Sequence, residues 1–193
     1  MVRDYQPTPV DPAVVDGLLD KARRAPSAGH TQGTHFVVLE GPEQTATFWS
    51  ITLPSPEREG FRWRGLLDAP VLILPMSDEE AYRARYREPD KVASGLGDGP
   101  WPVPYWQVDA AMATMTLLLG AVAAGLGALF FGIFQGEPEL LDALGVPPGV
   151  RPIGAVALGH PAGADRPSRS LDRGRRPFDE VVHRGGWAAA GPR

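Results

Sequence analysis

The chain has 193 residues, a formal net charge of -4 with both signs dispersed, and no cysteine. That length allows one domain, residues 1–193, with a sizeable core, and the charge balance argues against the basic face that a nucleic-acid binder needs. The missing cysteines exclude disulfides, zinc–thiolate sites and thiol nucleophiles.

The opening run Met-Val-Arg-Asp-Tyr-Gln-Pro is too polar for a signal peptide, so the expected location is cytoplasmic. Asp11 followed by Pro12 predicts a helix start, with Asp11 as N-cap and Pro12 at the first helical position. Val14, Val15, Leu18, Leu19 and Ala22 form its apolar stripe. The helix ends in Arg23 and Arg24, Pro26 stops it, and the small polar run Ser27-Ala28-Gly29-His30-Thr31-Gln32 follows. Such a loop between a helix and a strand exposes backbone N–H groups to a flat, polar-edged ligand, although on spacing alone an ordinary helix–strand connection is the favoured reading. Residues 35–40 read as a buried strand. Gly41-Pro42 turns the chain into a helix over 43–50, which Leu53-Pro54-Ser55-Pro56 ends. Residues 62–67 are basic and partly helical, and lead to Asp68-Ala69-Pro70. Val71-Leu72-Ile73-Leu74 is continuous and apolar, a strand buried on both faces.

Residues 77–86 predict a charged helix capped by Ser77. Residues 87–104 form a long loop, a length that in a compact domain is usually functional or mobile. Trp101, Tyr105 and Trp106 stand at its end, where they either anchor the loop or offer Trp101 and Tyr105 to a substrate. Residues 110–134 carry no charge, and a spanning helix needs about 20 apolar positions. Gly125-Leu126-Gly127 divides the run, however, so a buried helix, a tight turn and a buried strand are expected, and no membrane span. Residues 140–144 close a later helix with Gly145 just past its end, and residues 152–159 form another interior strand. His30, His35, His160 and His183 fall at no paired ligand spacing, so no metal site is expected. About four core strands with packed helices make an α+β or α/β layer protein. The small residues Ala110, Ala113, Ala121 and Ala124 permit close helix approach, in an oligomer or within one core.

Ala25, Pro26, Ser27 and Gln32 resemble the Ala-Pro-Ser-x-x-Asn-x-Gln signature of the FMN-dependent nitroreductase family, with His30 at the usual Asn and Thr34 at a frequent Trp. The resemblance extends along the chain. Gly125-Leu126-Gly127 and Gly132 look like the family's Gly-Leu-Gly and later glycine, and Arg173-Gly174-Arg175-Arg176-Pro177 looks like its basic pair before proline. It implies an α+β fold with a central, mostly antiparallel sheet of four to five strands flanked by helices, in a homodimer. It implies bound FMN, with NADH or NADPH as electron donor and a nitro compound, quinone or similar small acceptor, reduced by a ping-pong mechanism. A flavin carries its own redox chemistry, so the protein supplies cations, donors and orientation rather than a nucleophile or base.

By the match, Arg3, Pro26, Ser27, Ala28 and His30 run along the flavin, Gly132 faces the hydride-accepting nitrogen, and Arg173 and Arg175 hold the phosphate. Arginine suits that last task through its bidentate fork. Arg62 falls at the family's pyrimidine-edge Asn and Gly65 at its Lys, with Arg64 adjacent as a second source of charge. Met1-Val2-Arg3 begins inside the family's N-terminal motif, so an in-frame Arg-Arg pair is expected in the codons upstream. A degenerate member that stores FMN without turnover, a dehalogenase and a flavin destructase are the alternative readings.

Overall fold

The computed structural model describes residues 1–163 and 168–187. Helix α1 (Pro12–Ala22) starts as the Asp-Pro pair predicts: the Asp11 carboxylate accepts from the Ala13 N–H at 2.8 Å. Strand β1 (Thr34–Glu40) follows, then α2 (Gly41–Thr52), the single turn α3 (Ser55–Arg58), β2 (Val71–Asp78) and α4 (Glu79–Tyr86). After the long loop come α5 (Tyr105–Ala123), β3 (Gly127–Phe131), α6 (Glu137–Ala143), β4 (Val150–Pro152) and β5 (Ala155–Gly159). The strands form one open sheet in the order β1-β2-β5-β3, with β4 also on β2 and every pairing antiparallel.

The sheet departs from the sequence expectation in β2. Pro75 stands inside this central strand, where a residue without an N–H breaks a ladder. The register shows how the strand survives: Ile73 pairs with Val156 and Met76 with Pro152, so two residues of β2 face three on the other side. The extra residue is a bulge at 153–155. It lets the Ile153 N–H donate to the Pro75 carbonyl at 3.0 Å. β2 therefore runs on to Asp78, and Ser77 is not a helix cap. Its hydroxyl donates to the Arg151 carbonyl, while Asp78 caps α4 through the Ala81 N–H at 3.1 Å. The single strand expected over 152–159 becomes β4 and β5, which raises the count to five. β1 is an edge strand, half-buried rather than buried. α6 begins at Glu137 and closes just before Gly145, as expected.

Gly154 makes the bulge possible. Its φ is 149°, and a Cβ there would lie 2.6 Å from the Phe130 ring and 2.7 Å from the Phe131 carbonyl oxygen. Gly154→Ala is expected to cost about 2 kcal/mol or more through strain and overpacking. The melting temperature should then drop by roughly 4–8 °C. An unchanged melting curve would mean that the bulge relaxes without the glycine.

Helices cover both faces, as alternation along β2 requires. Leu72, Leu74 and Met76 point to one core, with Phe48 and Trp49 of α2 and Leu140 of α6. Val71 and Ile73 point to the other, with Val15 and Leu18 of α1 and Leu117 and Ala121 of α5. By length and composition α5 is apolar enough to cross a membrane. Its inner face is committed, however: Ala110, Ala113, Leu117 and Ala121 are buried against α1 and the sheet. Its other face leaves Met115, Leu119 and Val122 52%, 59% and 70% exposed.

Candidate functional site

The N-terminal segment is stitched to the sheet edge, and that stitching positions Arg3. The Val2 N–H donates to the Ala128 carbonyl at 3.2 Å and the Tyr5 N–H to the Gly65 carbonyl at 3.1 Å. The Tyr5 hydroxyl, in the core, lies 2.9 Å from the Val2 carbonyl and 3.2 Å from the Ala157 carbonyl, either of which can accept its hydrogen. Arg3 thereby reaches the mouth of a cavity of about 550 Å³ on the α2 side of the sheet, walled by Phe48, Trp49, Trp63 and Phe131. Gly132 lines the same cavity. A Cβ at Gly132 would meet the Phe134 ring at 2.9 Å, so only glycine leaves that ring its place; Phe134 itself is 95% exposed. The cavity lies within the roughly 300–1,000 Å³ of small-molecule sites, apolar with a few placed polar groups.

Two guanidinium groups meet on one indole there. Arg3 lies 5.0 Å from the Trp63 ring centroid and Arg62 4.6 Å, both within cation–π range. Arg64 does not join them, since it donates to the Glu59 carbonyl at 2.6 Å. Gly65 has no room for a side chain, because any Cβ would collide with Asp4. Of the two arginines beside Gly65, Arg62 is the one that lies on the Trp63 ring.

The run after α1 forms a second, separate feature. Pro26 and Ser27 line a polar cavity of about 180 Å³ with Gln32, Thr34 and Asp109. Gly29, His30 and Gln32 all take left-handed conformations, at φ 63°, 55° and 57°. Two such non-glycine residues in one short loop store strain that the surroundings must hold. Here they do so with hydrogen bonds: the Gln32 N–H donates to the Ser27 hydroxyl at 3.0 Å, and the Gln32 amide pairs with the His30 ring at 3.0 Å. Arg85 donates to the Gly29 carbonyl at 3.0 Å. The Ala28 N–H donates to the buried Asp109 carboxylate at 2.7 Å, and the Tyr82 hydroxyl donates to the same oxygen at 2.7 Å. Burial first, and that bond second, raise the Tyr82 hydroxyl far above the ordinary tyrosine value, so it stays a donor.

The long loop 87–104 is pinned. The Trp101 indole N–H donates to the Leu96 carbonyl at 2.8 Å, and its rings pack edge-on against Tyr82, Tyr86, Tyr105 and Trp106. Trp101 is thus the loop's anchor, while Tyr105, 39% exposed, keeps surface open to a ligand. Arg85 grips both oxygens of Asp90 at 2.7 Å, which pulls that carboxyl down to about 2. The folded value lies below the unfolded value of about 4, so the pair contributes fully above that pH and is lost as pH falls through about 2. The Trp101 indole N–H resonance should shift over that window in wild type, and Asp90→Asn should abolish the acid transition.

Arg3 and Gly132 therefore line one cavity, with Arg62 on the Trp63 ring of its wall, and Pro26, Ser27, Ala28 and His30 form their own loop. The two cavities share no lining residue. Arg173, which ends a short 3-10 turn, and Arg175 are exposed and line neither cavity. Two residues were missed in the sequence. Trp63 was signalled only by the alternation Arg62-Trp63-Arg64. Asp109 was signalled as the last charge before a long uncharged run.

Residues 1–160 match the family described as Nitroreductase. The chain belongs to the nitroreductase family. Among curated relatives, the FMN reductase [NAD(P)H] of Bacillus subtilis (strain 168) is 26% identical over 183 residues, which are 94% of this chain and 68% of that protein. Among solved structures, NfrA1 of B. megaterium superposes with a TM-score of 0.75 at 18% identity, covering 98% of this chain and 72% of that one. An FMN-dependent nitroreductase of Clostridium difficile R20291 gives 0.67 at 18% identity, covering 96% and 94%. At these identities the structures establish the nitroreductase fold.

Proposed function

We propose that this nitroreductase is an FMN-dependent oxidoreductase of small molecules, with residues 1–193 as one FMN-binding domain working as a homodimer. The observation that carries the reading is the convergence of Arg3, from the N-terminal segment stitched to β3, and Gly132, just past the end of β3, on one aromatic-walled cavity. Arg62 adds a second positive charge on the same indole. The residues present fit a flavin. An aromatic wall suits a flat ring system, a paired guanidinium edge suits an anionic one, and Gly132 presents backbone without a side chain.

When bound, the FMN supplies the redox chemistry: a hydride from NADH or NADPH is accepted in one half-reaction and two electrons leave to a quinone, nitro compound or similar acceptor in the other, in ping-pong order. The chain's residues bind and orient. Arg3 and Arg62 favour negative charge at the ring edge. Phe48, Trp49 and Phe131 keep water from one wall of the cavity. Pro26, Ser27, Ala28 and His30 offer a rigid loop to the ring. Arg173 and Arg175 are assigned to the phosphate, and as exposed residues of the C-terminal segment they are available to it. Tyr105 offers an exposed aromatic face to the acceptor.

The purified protein should bind one FMN per subunit and quench its fluorescence at micromolar concentration. NADPH or NADH should then bleach the bound flavin, and a quinone should restore the colour. A protein that leaves FMN fluorescence unchanged overturns the reading. One that binds FMN but stays yellow with both nucleotides is a flavin store.

A further inference from the structure

Asp109 is a carboxylate 2% exposed near the start of α5, and nothing in the function proposed above uses it. A buried carboxylate is costly unless its oxygens are satisfied. This one accepts two hydrogen bonds on a single oxygen, from the Ala28 N–H and the Tyr82 hydroxyl, each at 2.7 Å. No Lys or Arg side chain is paired with it among the described salt bridges. The Ala28 bond is the interesting one, because Ala28 precedes three residues held left-handed at Gly29, His30 and Gln32. Hydrogen bonds inside the loop close on the loop itself. Two side chains tie it to the helices around it, Asp109 from α5 and Arg85 from α4, and Arg85 is shared with an exposed partner, Asp90.

We propose that Asp109 is the positioning residue of the loop 26–32, and that its one oxygen sets the Ala28 peptide so the loop presents a preformed face to FMN. This inference rests on the FMN reading of the same loop. Preformed sites bind more tightly because the ordering cost is already met in the free protein. What Asp109 supplies is an acceptor at a fixed place. An asparagine whose amide oxygen takes the same position can accept both bonds, whereas alanine can accept neither.

The test compares Asp109→Asn, Asp109→Ala and Ala28→Pro by FMN fluorescence titration, with hydrogen exchange at the Ala28 amide of the FMN-free protein as a second readout. Ala28→Pro removes the donor while leaving Asp109 and Tyr82 in place, and Ser27, at φ -132° and ψ 143°, already has the extended backbone that a residue before proline adopts. Asp109→Asn should keep FMN affinity within about threefold and keep the amide protected. Asp109→Ala should expose that amide, and both Asp109→Ala and Ala28→Pro should weaken FMN about tenfold or more. Should Asp109→Ala fail to fold, Ala28→Pro decides alone. Wild-type affinity in the folded Asp109→Ala or Ala28→Pro protein overturns the inference and leaves the FMN reading intact. Equal weakening in Asp109→Asn and Asp109→Ala also overturns it, since charge and not position would then be what matters. A wild-type protein that binds no FMN overturns the reading and this inference together.

Discussion

Replacing Trp63 by alanine is expected to weaken FMN binding about tenfold or more, and Trp63→Phe to keep most of the affinity. Arg3 and Arg62 both rest on this ring, at 5.0 and 4.6 Å from its centroid. Each such contact is worth about 0.5–2 kcal/mol, depending on how far water is excluded. Losing the indole removes the surface that holds both guanidinium groups in place, and the side-chain entropy regained is a cost that a ligand must then meet. Arg3→Ala should act in the same direction, by about ten- to hundredfold, because it removes a charge-assisted contact worth roughly 1.5–3 kcal/mol. The loss should shrink as salt rises, since part of it is electrostatic. Trp63 also packs against the core on the α2 side of the sheet, so the variant's circular dichroism and melting curve belong beside the titration. A folded Trp63→Ala protein with wild-type affinity would take the arginine–indole cluster out of the site.

The parts of this structure legible in the sequence are those fixed by neighbours in the chain. Asp11-Pro12 announces α1 because cap and helix are adjacent, and the unbroken Val71-Leu72-Ile73-Leu74 run announces a strand covered on both sides. The division of the uncharged run at Gly125 held for the same reason: that glycine turns at φ 73° between α5 and β3. What was not legible depends on distant partners. Pro75 reads as the end of a strand until Gly154 lets the opposing strand bulge around it. The meeting of residue 3 with residue 132 follows from the Val2–Ala128 pairing, which no local pattern encodes. The resemblance named Arg3, Gly132 and the Pro26–His30 loop as one site, and a single chain keeps them as two separate features. Trp63 and Asp109 escaped notice because their roles rest on what packs against them, not on their own spacing.

Leu119→Glu combined with Val122→Glu is expected to turn a dimer into a monomer, with a dimer dissociation constant raised about a thousandfold or more. The face of α5 turned away from its own core carries Met112, Met115, Leu119 and Val122, at 38%, 52%, 59% and 70% exposure. A contiguous apolar face of this kind on a folded chain marks a surface that another molecule covers. The helix is apolar on both sides, which an ordinary surface helix is not. A twofold axis would bring this face onto its own copy, so every introduced glutamate enters the interface twice. An unpaired buried charge costs about 3–5 kcal/mol, and one such loss already exceeds a hundredfold in affinity. Leu119 and Val122 stand outside both cavities, so the variant should leave the fold and the arginine–indole cluster in place. We propose that the loop at Pro26–His30 of one protomer and the cavity at Arg3 and Gly132 of its partner complete one site, so FMN binding should nevertheless fall with the dimer. Light scattering with sedimentation equilibrium reads the first effect and fluorescence titration the second. Wild-type protein that stays monomeric at micromolar concentration contradicts the dimer. A monomeric double variant that binds FMN as tightly as wild type retains the dimer but refutes the shared site.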